Sequence, residues 1–537
     1  MYSAMFLKKQ VEKMKDTGNT KVYNMLFELD SIKWRLVVKG ILSGMLAGLL
    51  VVLYRLAIEY GTETAIEIYA YLKTHPFYIM PWILTAGAAG LLLAWLVRLE
   101  PMASGSGIPQ VKGQLVYGFR IKWYTVLSVR FIAGAIGSVF GLSLGREGPS
   151  IQIGAAGSQA LAKKLADNKL EENYIMTGGA AAGLSAAFNA PLSGMIFALE
   201  EVHKSFSGMV LISATAAALT ADFISKYFFG LNPVLSFAEI PWLPIDFYFW
   251  LLPLGIISGA VGAIINKALL SSQMAYGKLP WFIRPVIALL AALPLGLFLP
   301  QVLGGGSNLI ELAEMTGNSV HVLLVYLVAK LLFTCICFGS GLPGGIFLPI
   351  LSMGALSGSL CGMLAMKFGL PEAYIPGFAI CGMVGALSGS VKAPITSILL
   401  AAEMTGSLAH MLPVAACSFI ALFLSDALKA VPIYEVLLER IMKERRNTII
   451  NDKMGSILEI PVEAGSKAEG RCISEVEWPQ GILIVGIHRG DIDIVPNGST
   501  KINVGDYLIV TSSECTYNMT SVSMRELCHN NPENCIG

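Results

Sequence analysis

Charge is what this sequence has least of. Only 14% of its 537 residues are Asp, Glu, Lys or Arg, against roughly a quarter in an ordinary soluble domain. Hydrophobic residues make up 54% and the mean hydropathy is +0.64, which excludes a soluble globular chain of this size and implies several membrane-embedded segments. Ligand-like clusters are lacking too. The nine cysteines (Cys335, Cys337, Cys361, Cys381 and Cys417 in apolar segments, Cys472, Cys515, Cys528 and Cys535 beyond them) show no paired spacing, and histidines such as His75 and His321 stand apart from them. They read as packing residues or free thiols, so neither a disulfide framework nor a metal or other cofactor is expected. No nucleophile, base and orienting group can be assembled from the scattered His, Cys and Ser, so no enzyme chemistry is expected. A formal charge of +1 marks no nucleic-acid or acidic partner. A Thr-Val-Gly-Tyr-Gly filter of carbonyls is absent, which opposes a potassium pathway. No cleavable signal peptide is visible, because the N-terminal stretch is polar.

Long apolar segments are present from about Gly40 to Ser425. Ile79 to Val97, Pro285 to Ile310 and Leu331 to Met366 carry no charge, and each exceeds the roughly 17 residues needed to cross the bilayer core. Others are too short, such as Ile151 to Ala162, so tilted, re-entrant or broken helices are expected. Interrupted backbone at membrane depth is tolerated only where protein or water satisfies it, a property of transport pathways. Lys8, Lys9, Lys13, Lys15 and Lys21, with Lys33, Arg35 and Lys39, place the N-terminal end in the cytoplasm by the positive-inside rule. Arg440, Lys443, Arg445 and Arg446 do the same after the last apolar run, so an even number of crossings is expected.

An internal repeat organises these segments. Leu184-Ser185, Ala190-Pro191, Ala198 and Glu200 recur in register as Leu387-Ser388, Ala393-Pro394, Ala401 and Glu403. Each copy follows a Gly-rich stretch with proline, and two halves with matched broken segments point to a site at their interface. Chance similarity between Gly- and Ala-rich helices is the alternative. After Asn447 the pattern changes to short apolar stretches, Ile482 to Ile487 and Tyr507 to Thr511, bounded by Pro479-Gln480-Gly481, Pro496-Asn497-Gly498 and Gly505-Asp506. A small soluble β-rich domain with one helix near Ala468 to Val476 is expected there. The boundaries expected are 1–33 for an N-terminal segment, 34–442 for the membrane domain (repeats about 37–230 and 246–440), and 443–537 for the C-terminal domain and tail.

Three Gly-rich segments carry the chemistry: Gly105-Ser106-Gly107-Ile108-Pro109, Gly145-Arg146-Glu147-Gly148-Pro149 and Gly345-Ile346-Phe347-Leu348-Pro349. Each puts glycine and proline where a helix would begin, and a helix N-terminus offers unpaired N–H groups and about half a positive charge. Several such ends converging would hold an anion without a full positive charge, and so without binding it too tightly for release. Close helix packing by small residues is the bland alternative. Glu147, between two apolar stretches, is a carboxylate at membrane depth, where such groups are costly and functional; a structural ion pair with Arg146 is the other reading.

These motifs, in this order and spacing, resemble the CLC family of chloride channels and proton-coupled chloride transporters from about Val37 to Met442. The resemblance implies an all-α polytopic fold with two inverted-topology repeats and broken helices, and a homodimer embedded in lipid with one anion pathway per subunit. It implies that Ser106, the N–H groups of Ile346 and Phe347, and the Tyr434 hydroxyl bind chloride. Glu147 would be the gating glutamate, which competes for an anion position when ionised and swings away when protonated. Glu201 matches the internal proton-accepting glutamate of many coupled members, where channels typically carry a neutral residue. The implied activity is chloride/proton antiport across a prokaryotic plasma membrane, and a passive voltage- or ligand-gated chloride channel on the same fold is the alternative. Glu200 and Glu201 as a plain helix end remains open, and Glu403 reads as a structural hydrogen-bonding carboxylate. Serine at position 106 resembles the chloride-preferring members. One departure is Gln110-Val111-Lys112, where many relatives are acidic. The stretch from about Asp452 to Ser513 resembles TrkA-C regulatory domains, a small α+β unit expected on the cytoplasmic side. Passive dimer support and sensing of a small regulatory ligand both stand as its role.

Overall fold

The computed structural model describes residues 20–449 and 456–512, apart from 205–206, 236–240, 316, 409, 464, 480–481 and 491, and then residues 524, 527 and 528; of these, side chains are described from residue 33, except at 446–449, 456–459, 492–493 and 511–512. Lys8, Lys9, Lys13, Lys15, Cys515 and Cys535 lie outside these residues, as do the side chains of Lys21 and Arg446. The chain divides into two compact units, Met1–Leu438 and Glu439–Gly537.

Seventeen α-helices are seen among the described residues. The first eight are α1 (Thr20–Thr74), α2 (Ile79–Leu99), α3 (Ile108–Tyr117), α4 (Trp123–Val139), α5 (Glu147–Leu165), α6 (Lys169–Phe188), α7 (Pro191–Phe197) and α8 (Gly208–Phe229). The next eight follow the same plan: α9 (Leu251–Gly277), α10 (Ile283–Phe298), α11 (Ser307–Glu314), α12 (Val320–Gly339), α13 (Phe347–Met366), α14 (Ile375–Val391), α15 (Pro394–Thr405) and α16 (Met411–Ala427). Helix α17 (Ile433–Ile449) stands outside the repeat.

Packing follows the duplication. In the first half α1, α6 and α8 pack together and α5 lies on α6; in the second, α9, α14 and α16 pack together and α13 lies on α14. The halves join through α2 on α10 and α7 on α15. Glycine makes the tightest crossing in both: a Cβ at Gly154 would stand 2.2 Å from the Gly179 carbonyl, and one at Gly382 would stand 2.4 Å from the Gly354 carbonyl. Small residues let backbones approach where lipid supplies no hydrophobic driving force.

Seven described helices are long and apolar enough to cross a bilayer, and four shorter ones are apolar; the protein is a multi-pass membrane protein. Helices α3, α7 and α11, of 10, 7 and 8 residues, are too short to cross by themselves. The most apolar stretch of α13 is 89% buried inside the protein, against 28% for the Pro76–Leu99 span, so α13 belongs to the interior and α2 to the periphery. Helix α5 begins four residues before the apolar run at Ile151, and the proline of its first turn has no N–H to satisfy.

The second unit contains β1 (Ser456–Pro461), β2 (Ile482–Arg489), β3 (Ile492–Ile494) and β4 (Tyr507–Ser512) in one antiparallel sheet of order β1-β4-β2-β3. The helix expected near Ala468 to Val476 is only a single 3-10 turn at Ile473–Glu475. Gly470, at φ 73°, and extended Cys472 break the α-helical run. Ile460, Val462, Ile487, Leu508 and Val510 form the core of this unit.

Candidate functional site: a buried anion and proton pathway

All three Gly-rich segments end at helix starts, as their glycines and prolines predict. Helix α3 begins at Ile108 behind Gly107, held at φ 97°; α5 begins at Glu147 and α13 at Phe347, and none of the three has a side-chain N-cap. Their first N–H groups are therefore not satisfied by a capping side chain of the residue ahead of the helix. Gly145 and Gly345 exchange two backbone hydrogen bonds of 2.7 Å each, and the Gly344 N–H donates to the Gly105 carbonyl at 3.1 Å. The segments are thus sewn together at the joint between repeats. A Cβ at Gly148 would fall 2.3 Å from the Ser106 carbonyl, an approach only glycine permits.

Two buried cations, absent from the sequence reading, clamp the loops. Arg130 on α4 donates to the carbonyls of Ser104, Gly105 and Ser106 at 3.2, 2.9 and 3.1 Å. Lys330 on α12 donates to those of Val302 and Gly304 at 2.9 and 2.7 Å. Each cation turns a loop's carbonyl oxygens toward itself. Their spacing ahead of the Gly-rich segments, 130 to 146 and 330 to 346, was the available signal.

The six residues proposed from sequence are all buried: Ser106, Glu147, Glu201, Ile346, Phe347 and Tyr434. The hydroxyls of Ser106 and Tyr434 lie near one another, and neither has a hydrogen-bond partner of good geometry. A buried hydroxyl without a partner costs about 1–3 kcal/mol, so the pair fits an acceptor from outside the chain. Two O–H donors and bare amides, with no ammonium among them, suit a dehydrated halide. Phe347 packs between Phe188 and Phe197, with ring centroids 5.9 and 6.0 Å away, which fixes the start of α13.

Neither carboxylate oxygen of Glu147 has a hydrogen-bond partner of good geometry; its electrostatic neighbours are Arg146 and the N–H groups of Leu348, Arg146 and its own residue. Arg146 instead pairs with Glu59, which Arg55 also holds at 3.0 Å. Tyr434 lies within electrostatic reach of both Glu147 and Glu201.

Glu200 and Glu201 sit in a π-helical turn, Ala198–His203, a widened form that marks functional sites. The turn sends the two carboxylates apart. Glu200 accepts from the Thr396 N–H and hydroxyl at the start of α15, at 2.9 and 2.6 Å. Reciprocally, Glu403 accepts from the N–H groups of Leu192 and Ser193 at the start of α7, at 3.0 and 2.7 Å. Glu201, 1% exposed, instead pairs with Lys112 at 3.2 Å and Lys204 at 2.9 Å. It is therefore not an exposed helix end. Among the described residues no group of three or more His, Cys, Asp or Glu could hold a metal ion.

A membrane fold of two repeats whose Gly-rich helix starts meet at their joint has known counterparts. Residues 89–426 match the voltage gated chloride channel family, and the chain belongs to that family; residues 457–516 match the TrkA-C domain. The H(+)/Cl(-) exchange transporters ClcA of Salmonella agona and Salmonella arizonae are each 32% identical to this chain, over 82% and 79% of it and 96% and 92% of their own lengths. The structure of a slow cyanobacterial Cl-/H+ antiporter is similar with a TM-score of 0.70 and 29% identity, covering 76% of this chain and 98% of that one. A CLC-type fluoride/proton antiporter, at 24% identity and a TM-score of 0.62 over 76% and 98% of the two chains, shares the fold.

Proposed function

We propose that this protein is a chloride/proton antiporter of a prokaryotic plasma membrane, working as a homodimer with both termini in the cytoplasm. The observation that carries the reading is the Glu147 carboxylate: fully buried, without a hydrogen bond of its own, at the start of α5 and against the amides of α13. An ionised carboxylate in such a place costs several kcal/mol unless dipoles or water hold it. Ionised, Glu147 competes with chloride for the amides at the helix starts. Protonated, it has no claim on them and yields the position. Chloride then binds between the Ser106 and Tyr434 hydroxyls and the Ile346 and Phe347 amides, donors strong enough to replace water and neutral enough to release the ion.

Protons reach Glu147 from the other side through Glu201, whose burial and proximity to Tyr434 support that role. The relatives named as H(+)/Cl(-) exchangers support antiport over a passive channel. The TrkA-C unit is proposed to support the dimer or to sense a small ligand. Reconstituted in liposomes with the membrane potential clamped, the protein should move protons opposite to chloride. Glu147→Ala and Glu201→Gln should each abolish the proton signal while chloride still flows. Chloride flux without a proton signal in the parent would make the protein a channel.

A further inference from the structure

Lys112 is the centre of a four-charge cluster, buried at one end and exposed at the other, that the anion path leaves unused. Lys112, 2% exposed on α3, donates to Glu201 Oε1 at 3.2 Å and also to Glu435 Oε1 on α17. Lys204 donates to Glu201 Oε2 at 2.9 Å and lies 3.6 Å from Glu435 Oε1. Both lysines therefore hold both carboxylates, and the four formal charges cancel. Exposure grades across the cluster: the Glu201 side chain is 1% exposed and that of Lys112 3%, whereas those of Glu435 and Lys204 are 33% and 41% exposed. Glu200, the other carboxylate next to Glu201, is engaged at the start of α15.

We infer that Glu435 is the solvent-side carboxylate that takes up protons and passes them to Glu201, with Lys112 as the bridge. A proton from water adds to the Glu435 carboxylate. Lys112 gives one N–H proton to Glu201 and takes the proton from Glu435, so that one proton has moved, Lys112 is again an ammonium and Glu435 again a carboxylate. Lys204 stands beside both carboxylates and compensates their charge throughout. Groups facing Glu201 are Lys112 from α3, Lys204 after the π turn, and Tyr434 and Glu435 from α17. The inference rests on the reading of Glu201 as the internal proton acceptor.

The test is the proton-to-chloride flux ratio of the full-length protein in liposomes, with chloride affinity measured by calorimetry on the same preparations. Glu435→Gln should lower proton flux by about tenfold or more, the scale on which a displaced proton donor acts, and leave chloride affinity within about twofold. Glu435→Asp should restore most of the proton flux, and Glu200→Gln should leave the ratio at the parental value. Glu435→Gln with a parental flux ratio, while Glu201→Gln abolishes proton flux, would overturn the proposal; so would an equal loss of proton and chloride flux, which would mean that Glu435 only supports Tyr434. An unchanged proton flux in Glu201→Gln would instead sink the reading of Glu201 itself.

Discussion

Before α5 the chain reads Gly145-Arg146-Glu147-Gly148-Pro149, and two hundred positions later, before α13, it reads Gly345-Ile346-Phe347-Leu348-Pro349. The leading glycine and the proline fall at the same places, Gly145 and Gly345 bond each other, and a buried cation stands sixteen residues ahead of Arg146 and of Ile346 alike. Chemistry differs where the frame does not. The first repeat carries the carboxylate, and ahead of α3 it carries Ser106; the second carries Ile346 and Phe347, whose side chains pack and leave their amides bare, and ahead of α11 it has Gly304-Gly305-Gly306 without a hydroxyl. Duplication supplied a matched pair of helix starts, and only one of them carries a carboxylate. A second carboxylate facing the first would add a like charge at membrane depth, where each is costly.

The largest expected break in this asymmetry is Glu147→Ala, which should reduce proton flux by about 100-fold or more while chloride still moves, read as external pH against chloride efflux. Phe347→Glu should remove the asymmetry from the other side. By placing a second buried carboxylate at the facing helix start, it should lower chloride flux by roughly an order of magnitude and weaken chloride binding in calorimetry.

The cation clamps give a graded comparison. Arg130→Met strands three carbonyls and Lys330→Met two, so the first should cost about 3 kcal/mol and the second about 2 kcal/mol, seen as the larger and smaller fall in melting temperature in detergent. The smallest effects belong to the reciprocal caps. Glu200→Gln and Glu403→Gln should each lose about 1 kcal/mol, with Glu403→Gln the more costly because its carboxylate meets two backbone N–H groups where Glu200 meets one. A loss of proton coupling in Glu200→Gln would overturn its assignment as a cap.

Much of the frame was legible because it rests on local rules. Glycine shortly followed by proline marks a helix start whatever surrounds it, so the beginnings of α3, α5 and α13 could be placed from sequence. Two strands of the C-terminal sheet, β2 and β4, were legible as apolar runs between turn formers. Strands β1 and β3 were not, since β3 has only three residues and exists by pairing with β2 at Ile487 to Arg489. The turn at Ile473–Glu475 read as a helix because the apolar spacing suits one, while the pairing of Cys472 with Lys501 holds the chain extended.

Pairings between distant residues were hidden for a different reason. Arg146 beside Glu147 suggested a local ion pair, yet Arg146 reaches Glu59 on α1. Glu200 and Glu201 are adjacent in sequence, and only the π turn separates one into a cap for α15 and the other into a cluster with Lys112, Lys204 and Glu435.

By itself the sequence determined that this is a membrane protein of two broken-helix repeats with a small β domain after them, and where its glycine-rich helix starts lie, because composition and glycine–proline placement act within a few residues. Tertiary structure alone decided which charges meet: that Arg130 and Lys330 turn inward onto carbonyls, that the two repeats cap one another through Glu200 and Glu403, and that Lys112 joins Glu201 to Glu435. Those outcomes depend on groups many residues apart being driven together in a setting where an unpaired charge is costly, and no local pattern records which partner each will find.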